Sequence, residues 1–190
     1  MRIVLLGAPG SGKGTQAALM VEELGLPHIS TGEVLRAAIR KGNELGRQAK
    51  IVIDRGELVS NEIMLRLIEN RLTKEDAENG FILDGYPRNL AQAEALDDLL
   101  ERLGKPLDEA LQIDVDPELV IERISKRAEL EGRSDDSEEV VRNRMKVYAE
   151  QTEPVIDYYA RKGVLSRVLG EGSVEEVFQR IKGVLQIRSA

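Results

Sequence analysis

Short apolar runs alternate with longer segments of helical periodicity along this chain. The apolar runs predict buried strands at Ile3–Leu6, Pro27–Ser30, Phe81–Asp84, Leu111–Val115 and Val164–Leu169. The intervening segments predict helices at Lys13–Leu24, near Val34-Leu35, and within Glu44–Asp54, Asn61–Thr73, Leu90–Leu103, Pro117–Leu130, Ser137–Arg161 and Val174–Leu185. Strands that alternate with helices indicate a parallel sheet covered by helices on both faces.

Several helix starts have recognisable sequence signals. Ser30 with Glu33, and Ser173 with Glu176, have the spacing of capping boxes. Pro117 follows an aspartate, which is the arrangement of an N-cap with proline at the first helical position. These signals place helix starts directly after predicted strands.

The region 31–73 differs from the rest, because it predicts about three helices and no strand. This is more than a strand-to-strand crossover needs, so we expect residues 30–60 to project from the sheet as a flap. The length of 190 residues suits a single domain with small excursions of this kind.

A glycine-rich segment, Gly7–Thr15, lies between the first strand and the first helix. Gly7, Gly12 and Lys13 fit the P-loop pattern G-x-x-x-x-G-K, in which backbone N–H groups and a helix N-terminus surround a phosphate. Gly14 stands where the general pattern has Ser or Thr. The segment therefore predicts a phosphate site, with Lys13 as a charge for the outer phosphates.

Two further residues are expected at the same edge of the sheet. Asp84 ends the third predicted strand and is placed to hold Mg²⁺ through water, although a helix-capping aspartate in a turn is the alternative. Arg88 supplies a planar donor fork that suits phosphate oxygens.

More arginines follow in one region of the sequence: Arg123, Arg127, Arg133 and Arg144. The first two are four residues apart and share one face of a predicted helix. Singly, each would be read as a solvated surface charge, but their grouping favours a polyanion site. Asp135 and Asp136 lie between them and could be N-caps for the next helix.

Composition limits the classes of protein that remain. The absence of cysteine excludes disulfides and thiolate metal sites, so no zinc is expected. A net charge of −7 argues against nucleic-acid and membrane binding. The N-terminal apolar run is too short for a signal peptide or membrane span, which favours a cytoplasmic location. We expect a monomer, and His28 is expected to be a structural residue of a buried strand.

The sequence resembles the adenylate kinases, the short-lid type of the nucleoside monophosphate kinase family, over essentially its whole length. That family's own P-loop reads Gly-Lys-Gly-Thr, which accounts for Gly14, whereas Glu33 stands where the family usually has Asp. The short segment between Arg127 and Asp135 matches the short-lid members. The resemblance rests on Gly7–Thr15, 30–36, 56–59, 84–88, Gln92, Arg123, Arg127, 132–136 and Arg144.

The resemblance implies a fold and an activity. The fold is a P-loop three-layer α/β sandwich with a five-stranded parallel sheet, built on a core of residues 1–29, 61–126 and 137–190. Residues 30–60 would be the AMP-binding flap and 127–136 a short lid. The implied activity is that of a transferase that moves a phosphoryl group from MgATP to AMP and forms two ADP, for nucleotide biosynthesis and purine nucleotide homeostasis.

The resemblance also implies roles for individual residues. ATP would be held by Gly10, Ser11, Gly12, Lys13, Gly14, Thr15, Arg123, Arg127 and Gly172. AMP would be held by Thr31, Arg36, Glu57, Leu58, Val59, Gly85, Tyr86, Pro87, Arg88, Gln92, Arg133 and Arg144. The catalytic group would be Lys13, Arg88, Arg123, Arg133 and Arg144, with Asp84 holding Mg²⁺ through water.

Two alternatives remain at this stage. A UMP/CMP kinase would have the same fold. However, Thr31 and Gln92 are the residue types that resemble the adenylate branch, and the related pyrimidine kinases typically carry Ala and Asn at these two positions. A non-kinase P-loop nucleotide-binding module is less favoured, because the guanine-reading Asn-Lys-x-Asp motif is absent. A switch of that kind would also have no use for an acceptor pocket containing Arg36 and Arg88.

Overall fold

The computed structural model describes residues 1–132 and 134–187, and its centre is a five-stranded sheet. The strands are β1 Arg2–Leu6, β2 His28–Ser30, β3 Phe81–Asp84, β4 Glu109–Asp114 and β5 Leu165–Leu169. They lie in the order β2-β3-β1-β4-β5, and every neighbouring pair is parallel. The predicted parallel sheet is therefore confirmed.

Nine α-helices in the described residues surround the sheet: α1 Lys13–Leu24, α2 Thr31–Lys41, α3 Glu44–Ile53, α4 Asn61–Leu72, α5 Leu90–Arg102, α6 Pro117–Glu131, α7 Glu138–Val147, α8 Glu153–Arg161 and α9 Val174–Ile187. Short 3₁₀ turns lie at Glu75–Ala77 and Ser134–Asp136, and a π-helical turn lies at Tyr148–Thr152. In the described part of the chain, no helix combines the length and the apolar character that crossing a membrane requires.

The central strand β1 divides the core into two halves. Ile3 and Leu5 face a cluster formed with α1 and α9, while Val4 and Leu6 face the larger cluster formed with α4, α5 and α8. All four side chains are at most 2% exposed. Because both faces of the sheet are covered, the strand sequence is a continuous apolar run instead of an alternation.

The strand order creates a topological switch point at β1. β3 pairs with one edge of β1 and β4 pairs with the other, so the loops after β1 and β4 leave in different directions. In open parallel sheets, ligands bind outside the carboxyl ends of the strands at this point. The glycine-rich segment Gly7–Gly12 follows β1 there.

The helix starts predicted from the sequence are confirmed by hydrogen bonds. The Oγ of Ser30 accepts from the Glu33 amide at 3.4 Å, and Asp116 Oδ1 accepts from the amide two residues on at 2.8 Å. Ser173 and Glu176 form both bonds of the capping box, at 2.7 and 3.2 Å. The helix capped by Ser30 begins at once, three residues earlier than Val34.

Two further differences from the predicted boundaries have a physical reason in the structure. Residues 137–161 are divided into α7 and α8 by the π turn Tyr148–Thr152, because Pro154 has no N–H to continue the regular hydrogen bonding. β4 begins at Glu109, two residues before the predicted Leu111. A charged residue is not a sequence signal for a buried strand, yet Glu109 is only 2% exposed.

The region 31–73 contains α2, α3 and α4 and no strand, as predicted. α2 and α3 pack against each other through Gly46, where an added Cβ would lie 2.1 Å from the Ala38 carbonyl oxygen. This contact holds the two helices of segment 30–60 together as one unit. Its action as a flap remains a prediction.

Candidate active site

The segment Gly7–Gly12 forms a cradle at the start of α1. Gly7, Gly10 and Gly12 have φ values of 144°, 82° and 95°, which L side chains rarely adopt. An added Cβ on Gly7 would lie 2.6 Å from the Ile113 carbonyl oxygen. Gly12 is the N-cap of α1 and offers no side-chain cap, so an anion can take that place at the positive end of the helix.

Lys13 is folded into this cradle. Its Nζ donates to the carbonyl oxygens of Gly7 and Ala8 at 2.7 and 2.8 Å. Burial lowers the pKa of Lys13 to about 8, although the nearby Asp84 carboxylate raises it; Arg88 and other cations lower it further. The ammonium group is thus held in a site of low dielectric where an added anion would be strongly favoured.

Asp84 lies at the end of β3, beside Lys13 and His28. One carboxylate oxygen is 3.5 Å from His28 Nε2. Burial alone would raise the pKa of Asp84, but the adjacent His28 ring and the charge of Lys13 outweigh it and hold this pKa below its usual range. His28 lies in β2 as predicted, and it also lines the cleft, which was not predicted from the sequence.

Arg88 is held from several sides. Its Nε donates to the Gly85 carbonyl oxygen at 2.8 Å, and its own carbonyl oxygen accepts from Thr152 Oγ1 at 2.8 Å. Its backbone N–H donates to Gln92 Oε1 at 2.8 Å. Burial and the neighbouring Arg144 lower the pKa of Arg88. The charged guanidinium is therefore destabilised at this position, and a bound anion would stabilise it.

Arg127 and Arg144 are paired with two buried aspartates, and one of these, Asp136, contacts both arginines. Asp136, whose side chain is fully buried, accepts from Arg127 Nε and a terminal nitrogen at 2.7 and 2.6 Å, and from Arg144 at 2.9 Å. Asp135 accepts from Arg144 at 2.9 Å. The N-cap interpretation of the two aspartates is therefore wrong: Ser137 occupies the N-cap of α7.

Arg123 spans the gap between the cradle and the loop after β5. Its guanidinium donates to the carbonyl oxygens of Ser11 at 3.3 Å and Gly170 at 2.9 Å. Gly172 follows in that loop with a φ of 104°, where an added Cβ would lie 2.7 Å from a carboxylate oxygen of Glu176.

A cleft of about 940 Å³ collects most of the predicted residues. It is lined by Gly10, Ser11, Gly12, Lys13, Gly14, Thr15, Arg36, Leu58, Asp84, Gly85, Pro87, Arg88, Arg123, Arg127, Arg144 and Gly172. A smaller cavity of about 70 Å³ is lined by others: Thr31, Glu57, Val59 and Gln92. Arg36, Arg88 and Arg144 line both, so these cations lie where the two spaces meet.

Of the predicted residues that the structure describes, Tyr86 does not line either space. Tyr86 is 1% exposed and packs in the larger core cluster, where burial raises its pKa to about 12. It is bonded to Pro87, which does line the cleft. Arg133 lies outside the described residues.

The residues that hold the predicted ones in place carry no recognisable signal in the sequence. Thr152 reaches Arg88 from the π turn, and the amides of Asn61 and Asn89 contact each other beside Gln92. No local pattern signals such contacts, since Thr152 and Arg88 are 64 residues apart.

A phosphate cradle after the central strand, opening into a cleft lined by cations at the carboxyl edge of a parallel sheet, defines a P-loop nucleotide-binding α/β protein. The family model described as adenylate kinase matches residues 5–164. The chain therefore belongs to the adenylate kinase family, and the resemblance noted from its motifs is confirmed.

Relatives named adenylate kinase match the chain along nearly its full length. The chain is 56% identical to the adenylate kinase of Stenotrophomonas maltophilia (strain R551-3) over 186 residues, which is 98% of this chain and 100% of the relative. It is 57% identical to the adenylate kinase of Xanthomonas campestris pv. campestris (strain 8004) over 181 residues, which is 95% and 97% of the two chains.

Proposed function

We propose that this chain catalyses reversible phosphoryl transfer from MgATP to AMP, giving two ADP. The observation that carries the proposal is the position of Arg36, Arg88 and Arg144, which line both the main cleft and the smaller cavity beside it. Cations at such a junction suit two phosphorylated ligands that meet end to end. The two spaces offer one place for each nucleoside.

ATP is proposed to occupy the main cleft. Its phosphates would lie in the cradle of residues 10–15, on the uncapped N-terminus of α1, with Lys13 and Arg127 beside them. Arg123 already bridges the cradle and the loop after β5, so it would contact both the phosphates and the nucleoside side. Gly172 would lie beside the base through its backbone.

AMP is proposed to occupy the smaller cavity. Thr31, residues 57–59 and Gln92 would surround its nucleoside, with the backbone of residues 85–87 nearby. Arg36 and Arg88 would hold its phosphate. The second pKa of a phosphate monoester is about 6, so the attacking oxygen is already ionised at neutral pH and no general base is required.

The transfer step needs positioning and charge stabilisation more than covalent chemistry. Lys13, Arg88, Arg123 and Arg144 would surround the migrating phosphoryl group, and Arg133 is proposed to join them. Arg144 is now held by Asp135 and Asp136. We propose that it exchanges part of this pairing for phosphate oxygens.

Asp84 fits a role in holding Mg²⁺ with ATP. Its lowered pKa keeps it ionised, and it lines the cleft beside the cradle. In residues 1–132 and 134–187, no three acidic or histidine side chains group into a metal site, so ATP oxygens and water would supply the remaining ligands. When bound, Mg²⁺ neutralises charge on the outer phosphates of ATP.

Water competes with AMP as the acceptor, so the site must close before transfer. We propose that residues 30–60 act as the AMP-binding flap and residues 127–136 as a short lid, both moving on the core of residues 1–29, 61–126 and 137–190. We further propose that the enzyme works as a cytoplasmic monomer in purine nucleotide homeostasis.

The test is a coupled assay in which ATP is offered with AMP, UMP, CMP or GMP in turn. We expect ADP formation that requires an acceptor, with kcat/KM for AMP at least about a hundredfold above the pyrimidine nucleotides, because a site built to hydrogen-bond one base rejects others strongly. A preference for UMP or CMP would contradict the acceptor assignment. ADP formation without any acceptor would contradict the transfer reaction itself.

A further inference from the structure

The side chain of Gln92 is held at both ends of its amide. It is 2% exposed and lies on the first turn of α5, at the wall of the smaller cavity. Its Oε1 accepts from the Arg88 backbone N–H at 2.8 Å, and its Nε2 donates to Asn61 Oδ1 at 2.9 Å. A free glutamine amide could present either end to a ligand, but this one cannot turn without losing two hydrogen bonds.

The orientation of each amide in this network follows from groups that can only donate. The Arg88 N–H requires an oxygen opposite it, which fixes Oε1 of Gln92. The backbone N–H of Gln92 likewise fixes Oδ1 of Asn89 at 2.9 Å, leaving the Asn89 NH₂ directed at Asn61, 3.0 Å away. Two NH₂ groups therefore meet at Asn61, and only its oxygen can receive them.

The remaining capacity of Gln92 matches one kind of purine. After these bonds, its amide keeps one N–H and one lone pair of its oxygen. Adenine offers a ring nitrogen acceptor at N1 and an amino donor at N6, which complement this pair. A 6-oxopurine presents the reverse, an N1–H donor and an O6 acceptor, and would need the amide turned by 180°.

We propose that Asn61 is a positioning residue that locks the Gln92 amide in the orientation that accepts a 6-aminopurine and rejects a 6-oxopurine. The inference rests on the proposed function, in which Gln92 contacts the base of AMP. Asn61 is exposed, is the first residue of α4, and is not among the residues that line the smaller cavity. It acts through Gln92 and does not itself contact the base.

The test compares Asn61→Ala with Asn61→Asp, using AMP and inosine monophosphate as acceptors. Inosine monophosphate differs from AMP only in the groups at N1 and C6. Asn61→Ala removes the acceptor, so we expect KM for AMP to rise and the AMP-to-IMP ratio of kcat/KM to fall by about fivefold to tenfold, as for one hydrogen bond. The kcat with AMP should stay within about twofold.

Asn61→Asp is the matched rescue, because a carboxylate can still accept from both NH₂ groups. We expect its AMP-to-IMP ratio to stay within about twofold of wild type. Wild-type selectivity in Asn61→Ala, or an equal loss in both variants, would overturn the inference.

Wild-type turnover with AMP is measured first, so failure of the proposed function would appear there as absent transfer. A second measurement is hydrogen exchange of the Gln92 side-chain NH₂ by NMR. We expect it to be faster in Asn61→Ala than in wild type and Asn61→Asp, and equal rates in all three proteins would also overturn the lock.

Discussion

Lys13→Ala is expected to lower kcat about a thousandfold, at the upper end of the loss seen when one preorganised donor is removed from a charged transition state. The Lys13 ammonium is buried against the Gly7 and Ala8 carbonyls, in the cradle where we place the ATP phosphates. No other lysine or arginine side chain donates to those two carbonyls in the described residues. The change therefore removes the cation that lies inside the cradle itself.

The lowered pKa of Lys13 also leads to a prediction about the free energy of unfolding. Burial holds the pKa of Lys13 at about 8, below its unfolded value, so folding disfavours the charged form. Lys13→Met should therefore cost little stability at pH 7 and can raise the free energy of unfolding, up to about 3 kcal/mol before the lost carbonyl bonds are counted. Because the unfolded chain binds more protons between pH 8 and 10.5, this advantage should shrink as the pH rises through that window.

Steady-state kinetics and denaturant unfolding at several pH values check both parts. Lys74→Ala is the matched control, since Lys74 is exposed and lies outside both cavities. It should keep kcat within about twofold, as expected for a surface substitution. Near-normal turnover of Lys13→Ala would contradict the role of the cradle.

Arg88→Ala is expected to lower kcat by about a hundredfold to a thousandfold while changing the Kd for ATP by less than about threefold. We place Arg88 at the junction of the two cavities, where charge develops during transfer, and not on the ATP side alone. Its contacts with Gln92 and Thr152 go through the backbone, so truncating the side chain leaves them in place.

Two controls separate charge from geometry. Arg88→Lys keeps the positive charge but loses the planar fork, so it should recover only part of the lost kcat. Arg66→Ala removes an exposed arginine paired with Glu62 on α4 and should leave kcat within about twofold. Equal losses in kcat and ATP binding for Arg88→Ala would show instead that Arg88 binds ATP in the ground state and is not specific to the transition state.

The sheet and the cradle could be predicted from the sequence because their signals are local. A short apolar run followed by glycines and Lys13 indicates strand, loop and helix within a few residues. Because ligands bind at the carboxyl edge of a parallel sheet, Asp84 and Arg88 could then be predicted to lie at the same edge as the cradle. The family resemblance supplied the individual roles, which remain predictions.

The rest of the site depends on contacts between distant segments. Asn61 and Gln92 are 31 residues apart in the sequence, and their contact requires α4 and α5 to start side by side. The sequence offered an N-cap role for Asp136, whereas the structure places it in the 3₁₀ turn Ser134–Asp136, where it contacts Arg127 on α6. The π turn that contains Thr152 lies just before Pro154. A proline at such a position can either kink a helix or begin a new one, so its sequence does not decide between the two.

The central claim is that two nucleotides meet end to end in one cleft, with their phosphates among converging cations. A crystal structure with a bisubstrate analogue, two adenosines joined by five phosphates, tests it most directly. We predict nitrogen atoms of Lys13, Arg88, Arg123 and Arg144 within about 3.2 Å of oxygens of one phosphate chain, with one adenine at Gln92 and the other at Gly172. An analogue bound by only one adenosine, with those side chains pointing to separate surfaces, would contradict the account.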